Sequence, residues 1–347
     1  MGKSYSVAVI GAGQIVNVHL EAIRQSERSR LTAIVDLMES RAEDLAAEFG
    51  AKAYTDYREM VLNEKPDIVI INLPHYLHKS TAIWCAEQGC HVLLEKPMAL
   101  NVQECKEINE AAKRNGVLLA VGHMQQFFAE HVAAKEILSS GELGELVMIN
   151  DRRYGGYFRE SRPGWFLDKE KSGGGVIINL GSHSIDRIQW LTGSRIAKVK
   201  AILSHYGEQG DVEGSGSLFM ETTGGVPVHL SVCGYTGAPA NETELLFTKG
   251  SLRIRQRAEL LMSKGGSYEP ISVAKKADPF TEQWKVLLDA LEYGSELPIS
   301  GEYGQSVLAV VEAAYRSHVT GTEQKVELDS CSNSEYQISQ SHVQHQK

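Results

Sequence analysis

The chain has 347 residues, with 35 Lys and Arg against 44 Asp and Glu, a formal net charge of -9. An apolar fraction of 42% and a charged fraction of 23% exclude wholesale disorder. The length argues for two domains, and the acidic balance excludes the basic footprint that nucleic acid or an anionic membrane surface would require.

Tyr5–Ile10 reads as a buried strand, broken by Gly11-Ala12-Gly13, with a helix running from there to about residue 25. A second strand over 31–35 ends at Asp36, and a helix follows near 41–49. Segments 66–73, 91–94 and 117–121 repeat the theme, the later two each after a helical stretch. Continuous apolar strands alternating with helices predict an α/β unit, a doubly wound parallel sheet covered on both faces, over 1–122. The pattern then changes. Residues 126–140 predict one helix, 146–153 a strand, and a Gly/Pro/aromatic loop runs to Gly175, followed by a helix over 178–191. From 196 to 261 the strands alternate polar and apolar residues without helices between them. That predicts a large, open, mainly antiparallel sheet with one packed face. Helices near 280–293 and 303–318 are expected to close this C-terminal α+β domain, 123–328. The Ser/Gln/His-rich stretch 329–347 is expected to be a disordered tail, and its His342 and His345 are read as solvated rather than metal-binding.

The five cysteines are Cys85, Cys90, Cys105, Cys233 and Cys331, an odd number without a CxxC pair. This argues against a zinc ribbon and a disulfide framework, and no metal site is expected. Without a signal-peptide core or a membrane-length apolar run, a cytoplasmic protein with no membrane partner is expected.

Two stretches carry chemistry. In Gly11-Ala12-Gly13-Gln14-Ile15-Val16 the first glycine permits a tight turn, and the second lets a backbone approach a pyrophosphate at a helix N-terminus. Val16 replaces the third glycine of that fingerprint. Asp36, ending the second strand, can accept both ribose hydroxyls of an adenosine and would repel a 2′-phosphate, so NAD is favoured. Arg41 nearby is the counter-signal that keeps NADP open. The second stretch is Glu95-Lys96-Pro97, which ends a strand whose carboxyl end faces the same crevice. A cis Lys96-Pro97 bond in that turn would hold the lysine in place.

With Leu73-Pro74-His75, His78 and the run Ser172-Gly173-Gly174-Gly175 leading to His183 and Asp186, these pieces resemble the Gfo/Idh/MocA family (glucose–fructose oxidoreductase, inositol dehydrogenase, rhizopine catabolism) over residues 5–328. The resemblance implies a Rossmann domain followed by an α/β domain with an open sheet. It also implies NAD(P)-dependent oxidation of a sugar, cyclitol or related polyol, and a homodimer or homotetramer assembled through that sheet. By position, Lys96 matches the family lysine that meets nicotinamide and substrate, and His183 matches the family histidine. Asn179 stands where the family usually has aspartate. Met124 and Gln125 stand where many members have Asn or Met followed by Arg, and His75 replaces the Asn that commonly follows Pro74. Tyr235 resembles a site-facing tyrosine. The expected cofactor contacts are Gly11, Gly13, Gln14, Ile15, Asp36, Arg41, Leu73, Pro74, His75, His78, Glu95, Lys96 and Met124. The expected substrate contacts are Lys96, Gln125, Arg153, Trp165, Asn179, His183 and Tyr235.

Oxidising a carbinol requires a base poised near neutrality. A histidine already lies there, and a lysine is brought there by desolvation. Lys96 is therefore expected as the main acid/base, with His183 assisting. Asn179, His183 and Asp186 fall on one face of a regular helix. Asn179 can orient a hydroxyl but cannot take its proton. Gln125, in place of a cation, predicts a preference away from anionic substrates, with Arg152, Arg153, Arg159 and Arg162 as the residues that would compensate. Two alternatives stay open: an NAD-dependent glycosidase with no net redox change, and a non-catalytic dinucleotide-binding regulator.

Overall fold

The computed structural model describes residues 4–206 and 210–327; the expected tail over 329–347, with Cys331, His342 and His345, lies outside the described residues. Six strands, β1 (Tyr5–Ile10), β2 (Ser29–Val35), β3 (Lys52–Tyr54), β4 (Ile68–Ile71), β5 (His91–Leu94) and β6 (Leu119–Val121), form a parallel sheet in the order β3-β2-β1-β4-β5-β6. Helices α1 (Val16–Arg24), α2 (Glu39–Phe49), α3 (Tyr57–Glu64), α4 (His78–Glu87) and α5 (Val102–Arg114) lie in the connections. Every residue of β4 is buried, which is why Ile68-Val69-Ile70-Ile71 has no polar member: a central strand covered on both faces has no solvent side. Strand order reverses between β1 and β4, so the carboxyl ends of β1, β4 and β5 open a crevice there. The sequence pattern misses β3, a three-residue edge strand too short to show a period.

Beyond α6 (Ala129–Ser140) come β7 (Leu146–Tyr154), a short α7 (Lys169–Ser172), α8 (Ser182–Thr192) and β8 (Ile196–Ser204). Then follow β9 (Ser215–Thr222), β10 (Pro227–Cys233), β11 (Ala240–Phe247), β12 (Gly250–Arg255), β13 (Glu259–Ser263) and β14 (Glu269–Ile271). With β15 (Gln324–Lys325) these strands form a nine-stranded sheet, β14-β13-β12-β11-β7-β10-β9-β8-β15, antiparallel except for the parallel pair β7–β10. Burial alternates as the sequence predicts: in β10, Val228, Leu230 and Val232 are buried, and the residues between them are not. The last long helix, α10 (Gly301–Thr320), lies on the packed face, where Ser317 Oγ accepts from the Ala201 amide at 3.0 Å.

Three elements depart from expectation. The helix over 126–140 is broken, because Phe128 is extended (φ −70°, ψ 133°) and α6 starts after it. The helix over 178–191 is not regular: Ile177–Gly181 forms a π turn, and α8 starts at Ser182, so α-helical spacing does not relate Asn179 to His183. The helix expected to close the second domain, α9 (Pro279–Tyr293), returns to the first sheet and packs on α1. Trp284 Nε1 donates to Ser29 Oγ at 3.0 Å, and Arg28 pairs with Asp289 at 2.6 Å. Proline in its first turn and the Asp278 cap define where α9 begins.

Cys85, Cys90 and Cys105 are buried free thiols, and Cys233 is partly buried. Among the described residues no helix is long and apolar enough to cross a membrane, and no group of three or more His, Cys, Asp or Glu is placed to hold a metal ion.

Candidate active site

At the crevice, Gly11 has φ +97°, and a Cβ there would meet the Asn72 carbonyl oxygen at 2.7 Å, so both the turn and the close approach require glycine. Gly13 differs, since nothing lies within 4 Å of where its Cβ would be. That open space lets a ligand reach the backbone. Gln14 is exposed and Ile15 partly so. The N-terminus of α1 has no side-chain cap, which leaves amide donors for an anion. Both polar atoms of the Asn72 amide are buried with no partner among the described residues, as expected where a ligand group completes the site. Asp36 Oδ2 accepts from the Ala12 amide and Oδ1 from Met38, each at 2.9 Å, and Arg41 stands 3.7 Å from Oδ2. The carboxylate thus ties the end of β2 to the glycine loop and keeps lone pairs at the rim. Loop, uncapped helix and rim carboxylate together fit a dinucleotide.

The Lys96-Pro97 bond is cis, as expected. Two residues expected on the cofactor lie underneath this turn instead. His78 is fully buried, its ring nitrogens on the carbonyls of Pro97 (2.9 Å) and Leu73 (2.8 Å), so both are used inside the protein to shape the turn. Glu95 is held by His19 Nε2 at 2.9 Å and accepts from the Lys96 amide at 3.1 Å, which commits its carboxylate to the protein. His75 is buried with Nδ1 on the Ser172 carbonyl at 2.8 Å, and Trp165 covers its ring at 4.7 Å between centroids. Leu73 and Pro74 are partly exposed, and Met124 packs on the core cluster that includes Val16.

Lys96 reaches across to the second half. Its Nζ donates to the main-chain carbonyl of Asn179 at 3.2 Å, so the backbone and not the side-chain amide of Asn179 receives it. Burial pulls the Lys96 amine down to about 8; Glu95 opposes this, and Arg153 and Arg162 reinforce it. His183 opens α8 beside it. Burial, then the charges of Lys96 and Arg153, hold the imidazole well below its ordinary value, so it is neutral, and its buried Nδ1 has no partner among the described residues. Gln125 is buried nearby: its main-chain N–H donates to Asp186 Oδ2 at 3.3 Å, and its side-chain Oε1 is unpartnered among the described residues. Arg153 leans on Asn241 Oδ1 at 3.3 Å. Lys96, Asn179, His183, Gln125 and Arg153 therefore share one region. Tyr235 does not join them through its hydroxyl, which accepts from the Tyr206 amide at 2.6 Å while the ring stacks on Phe158.

Below this surface lie groups the sequence reading did not assign. Asp186 takes the Tyr303 hydroxyl at 2.7 Å, and burial pushes its carboxyl up to about 7. Arg187 and Asp151, both fully buried, pair at 2.7 Å, with Thr243 on the same carboxylate oxygen. Glu213 accepts from the amides of Gly175 and Ile177, each at 2.8 Å, and from the Tyr315 hydroxyl at 3.0 Å. That clamp fixes the π turn whose Asn179 carbonyl holds Lys96. A Cβ on Gly175 would collide with the Glu213 backbone, which explains a glycine there.

Residues 5–123 match the family model for the Gfo/Idh/MocA oxidoreductases, described as an NAD-binding Rossmann fold, and residues 131–253 match that family's C-terminal domain model. The chain belongs to the Gfo/Idh/MocA oxidoreductase family. It is 25% identical over 328 residues to a myo-inositol 2-dehydrogenase of Thermotoga maritima, covering 90% of this chain and 95% of that one. It is 30% identical over 237 residues to a 1-carboxy-3-chloro-3,4-dihydroxycyclohexa-1,5-diene dehydrogenase of Comamonas testosteroni, covering 68% and 59%. Across the first four curated relatives it matches, the chain spans only 49% to 59% of their length. Among solved structures, GenD2 from gentamicin A biosynthesis, in complex with NAD, superposes with a TM-score of 0.83 at 25% identity, covering 94% of this chain and 97% of that one. The expected fold and the expected NAD-binding domain are thereby borne out.

Proposed function

We propose that this chain oxidises a secondary alcohol of a polyol with NAD, or reduces the corresponding ketone with NADH. The observation that carries the reading is the Lys96 amine, brought to about 8 and held against the Asn179 carbonyl beside a neutral His183. When bound, the dinucleotide supplies a hydride acceptor for the carbinol C–H, giving ketone, NADH and one proton overall. Lys96 as the neutral amine takes the hydroxyl proton, and as the ammonium returns it in the reverse direction. A value near 8 suits both directions close to neutrality, whereas the strongly depressed His183 is a poor proton store. His183 is read as an acceptor that orients a hydroxyl, with Gln125, Asn179, Arg153 and Trp165 as further substrate contacts. The relatives' names point the same way, since those proteins act on a cyclitol and on a ring diol.

We also infer that a second copy of this chain covers the open face of the second sheet. Ile202 and Phe219 are 66% and 61% exposed there, and Met148 joins them at 37%. Sedimentation of the wild type and of Phe219→Glu tests this; a monomeric wild type overturns it.

The function is tested by mixing the chain with NAD and a panel of cyclitols and hexoses and following reduced nicotinamide. Turnover that falls in Lys96→Met far more than in His183→Ala supports the assignment. Near-normal turnover in Lys96→Met refutes it.

A further inference from the structure

Around the proposed catalytic lysine the cations and carboxylates are not all paired off with one another. The carboxylates near it bond elsewhere: Glu95 to His19, Asp151 through Oδ2 to Arg187 and Thr243, Asp186 to Tyr303, and Glu213 to the amides of the π turn. Three cations have no carboxylate ion-pair partner among the described residues: Lys96, Arg153 and Arg162.

Chain geometry places the two arginines. Asp151 and Arg153 are two apart on β7 and so point to the same, packed face. Asp151 holds Arg187, one helical turn beyond His183, and Arg187 and Arg153 share Asn241 Oδ1, at 2.9 and 3.3 Å. Arg153 therefore stands abreast of His183. Arg162 comes from the loop whose Trp165 covers His75. Its guanidinium lies 4.0 Å over the Tyr157 ring and 4.7 Å over Phe166, with Nε on the Tyr157 carbonyl at 2.5 Å. This stacking fixes the plane and leaves both terminal nitrogens free to donate. The other two arginines of this stretch do not take part: Arg152 is on the opposite face, bonded to Glu242 at 2.5 Å, and Arg159 is exposed.

Resting on the oxidoreductase reading, we propose that the substrate is a polyol bearing a carboxylate, gripped by Arg153 and Arg162 while Lys96 addresses its carbinol. A planar guanidinium matches a carboxylate in two parallel bonds, and an incoming anion relieves the mutual repulsion of three partly buried cations. The unpartnered Gln125 Oε1 and His183 Nδ1 are left for the polyol's hydroxyls. This proposal runs against the expectation that Gln125 turns the site away from anions: two of the arginines named as compensating stand at the site, and a neutral amide would read a hydroxyl.

The test is calorimetric titration of the NADH-loaded chain with hexuronates and aldonates, each beside its matched neutral hexose or hexitol. The best binder should be an acid, about ten-fold or more tighter than its neutral partner. Arg153→Gln and Arg162→Gln should each remove most of that preference, Arg162→Lys should restore part of it, and NADH affinity should stay within about two-fold. A tighter neutral partner, acid binding unchanged in the variants, or no binding by any acid overturns the proposal. So does an equal loss of NADH binding in the variants, which would assign the arginines to the dinucleotide's phosphates. Acid binding as described, but without hydride transfer to NAD, would refute the oxidoreductase reading and leave the anion site standing.

Discussion

At the glycine loop, what is offered to a ligand is mostly backbone: the amides after Gly11 and Gly13, the uncapped start of α1, and a single carboxylate, Asp36, at the rim. Around His183 the offer is side chains drawn from the turn after β5, from β7, from α8 and from the loop before α7, several of them held by another polar group. The first arrangement is local, so one change alters one contact. The second is a set of mutually supporting pairs, so one change leaves a partner stranded in the interior. The two regions should accordingly respond very differently to substitution.

The largest effect is expected at the Asp151–Arg187 pair, where both side chains are fully buried. Arg187→Met leaves a carboxylate with Thr243 alone and should cost about 3–5 kcal/mol, measured by urea unfolding. The double variant Asp151→Asn with Arg187→Met should recover much of that loss, because no unpaired charge remains. Additive losses in the double variant would mean that the pair is not coupled and that the contrast drawn above is false.

Lys96→Met separates activity from folding. Turnover should fall by about 10²–10⁴-fold. The pH dependence has a definite sign. Alcohol oxidation needs the neutral amine, so the rate should rise with pH through about 8 in the wild type, and the variant should lose that limb. Stability depends on pH with the same sign. An amine depressed from 10.5 in the folded chain contributes fully only above its unfolded value, and that contribution is lost as pH falls through about 8. At neutral pH the variant should therefore unfold at higher urea than the wild type. A variant that is both inactive and less stable would show that Lys96 is structural.

Glu213→Gln tests the clamp on the π turn. The loss of charge-assisted bonds to Gly175 and Ile177 should cost about 1–3 kcal/mol. Because the Asn179 carbonyl moves with that turn, kcat should drop while NADH affinity holds. An equal fall in NADH affinity would show general loosening instead.

What was legible in the sequence follows the same division. The glycine loop, Asp36, the Lys96-Pro97 turn and the alternating strands are local patterns, and each lies where the sequence places it. Glu213 was not legible: it sits in an unremarkable loop and acts on residues 36 and 38 positions away. Tyr303 reads as one more apolar position of an amphipathic helix, yet its hydroxyl serves Asp186 across 117 residues. His78 and Glu95 read as ligands because they sit beside the right motif. The structure places both beneath the turn with their polar atoms bonded inside the protein, which depends on α1 and the turn at Pro97 packing against them. The π turn before α8 was invisible for a related reason, since nothing in the local composition distinguishes it from α-helix.

The smallest effect is expected where the chemistry is most local. Asp36→Asn keeps the shape of the rim and one acceptor for the Ala12 amide, but removes the negative charge. Affinity for NAD should weaken by about ten-fold, the scale of one charge-assisted hydrogen bond exchanged for a neutral one. The same change removes the repulsion felt by a 2′-phosphate and releases Arg41 from its 3.7 Å contact. NADP should therefore weaken less than NAD or improve, and adding Arg41→Ala should cancel the NADP advantage. Calorimetry with both dinucleotides measures the ratio directly. A ratio unmoved by Asp36→Asn would mean that the carboxylate serves only the loop, with cofactor choice set by the backbone around it.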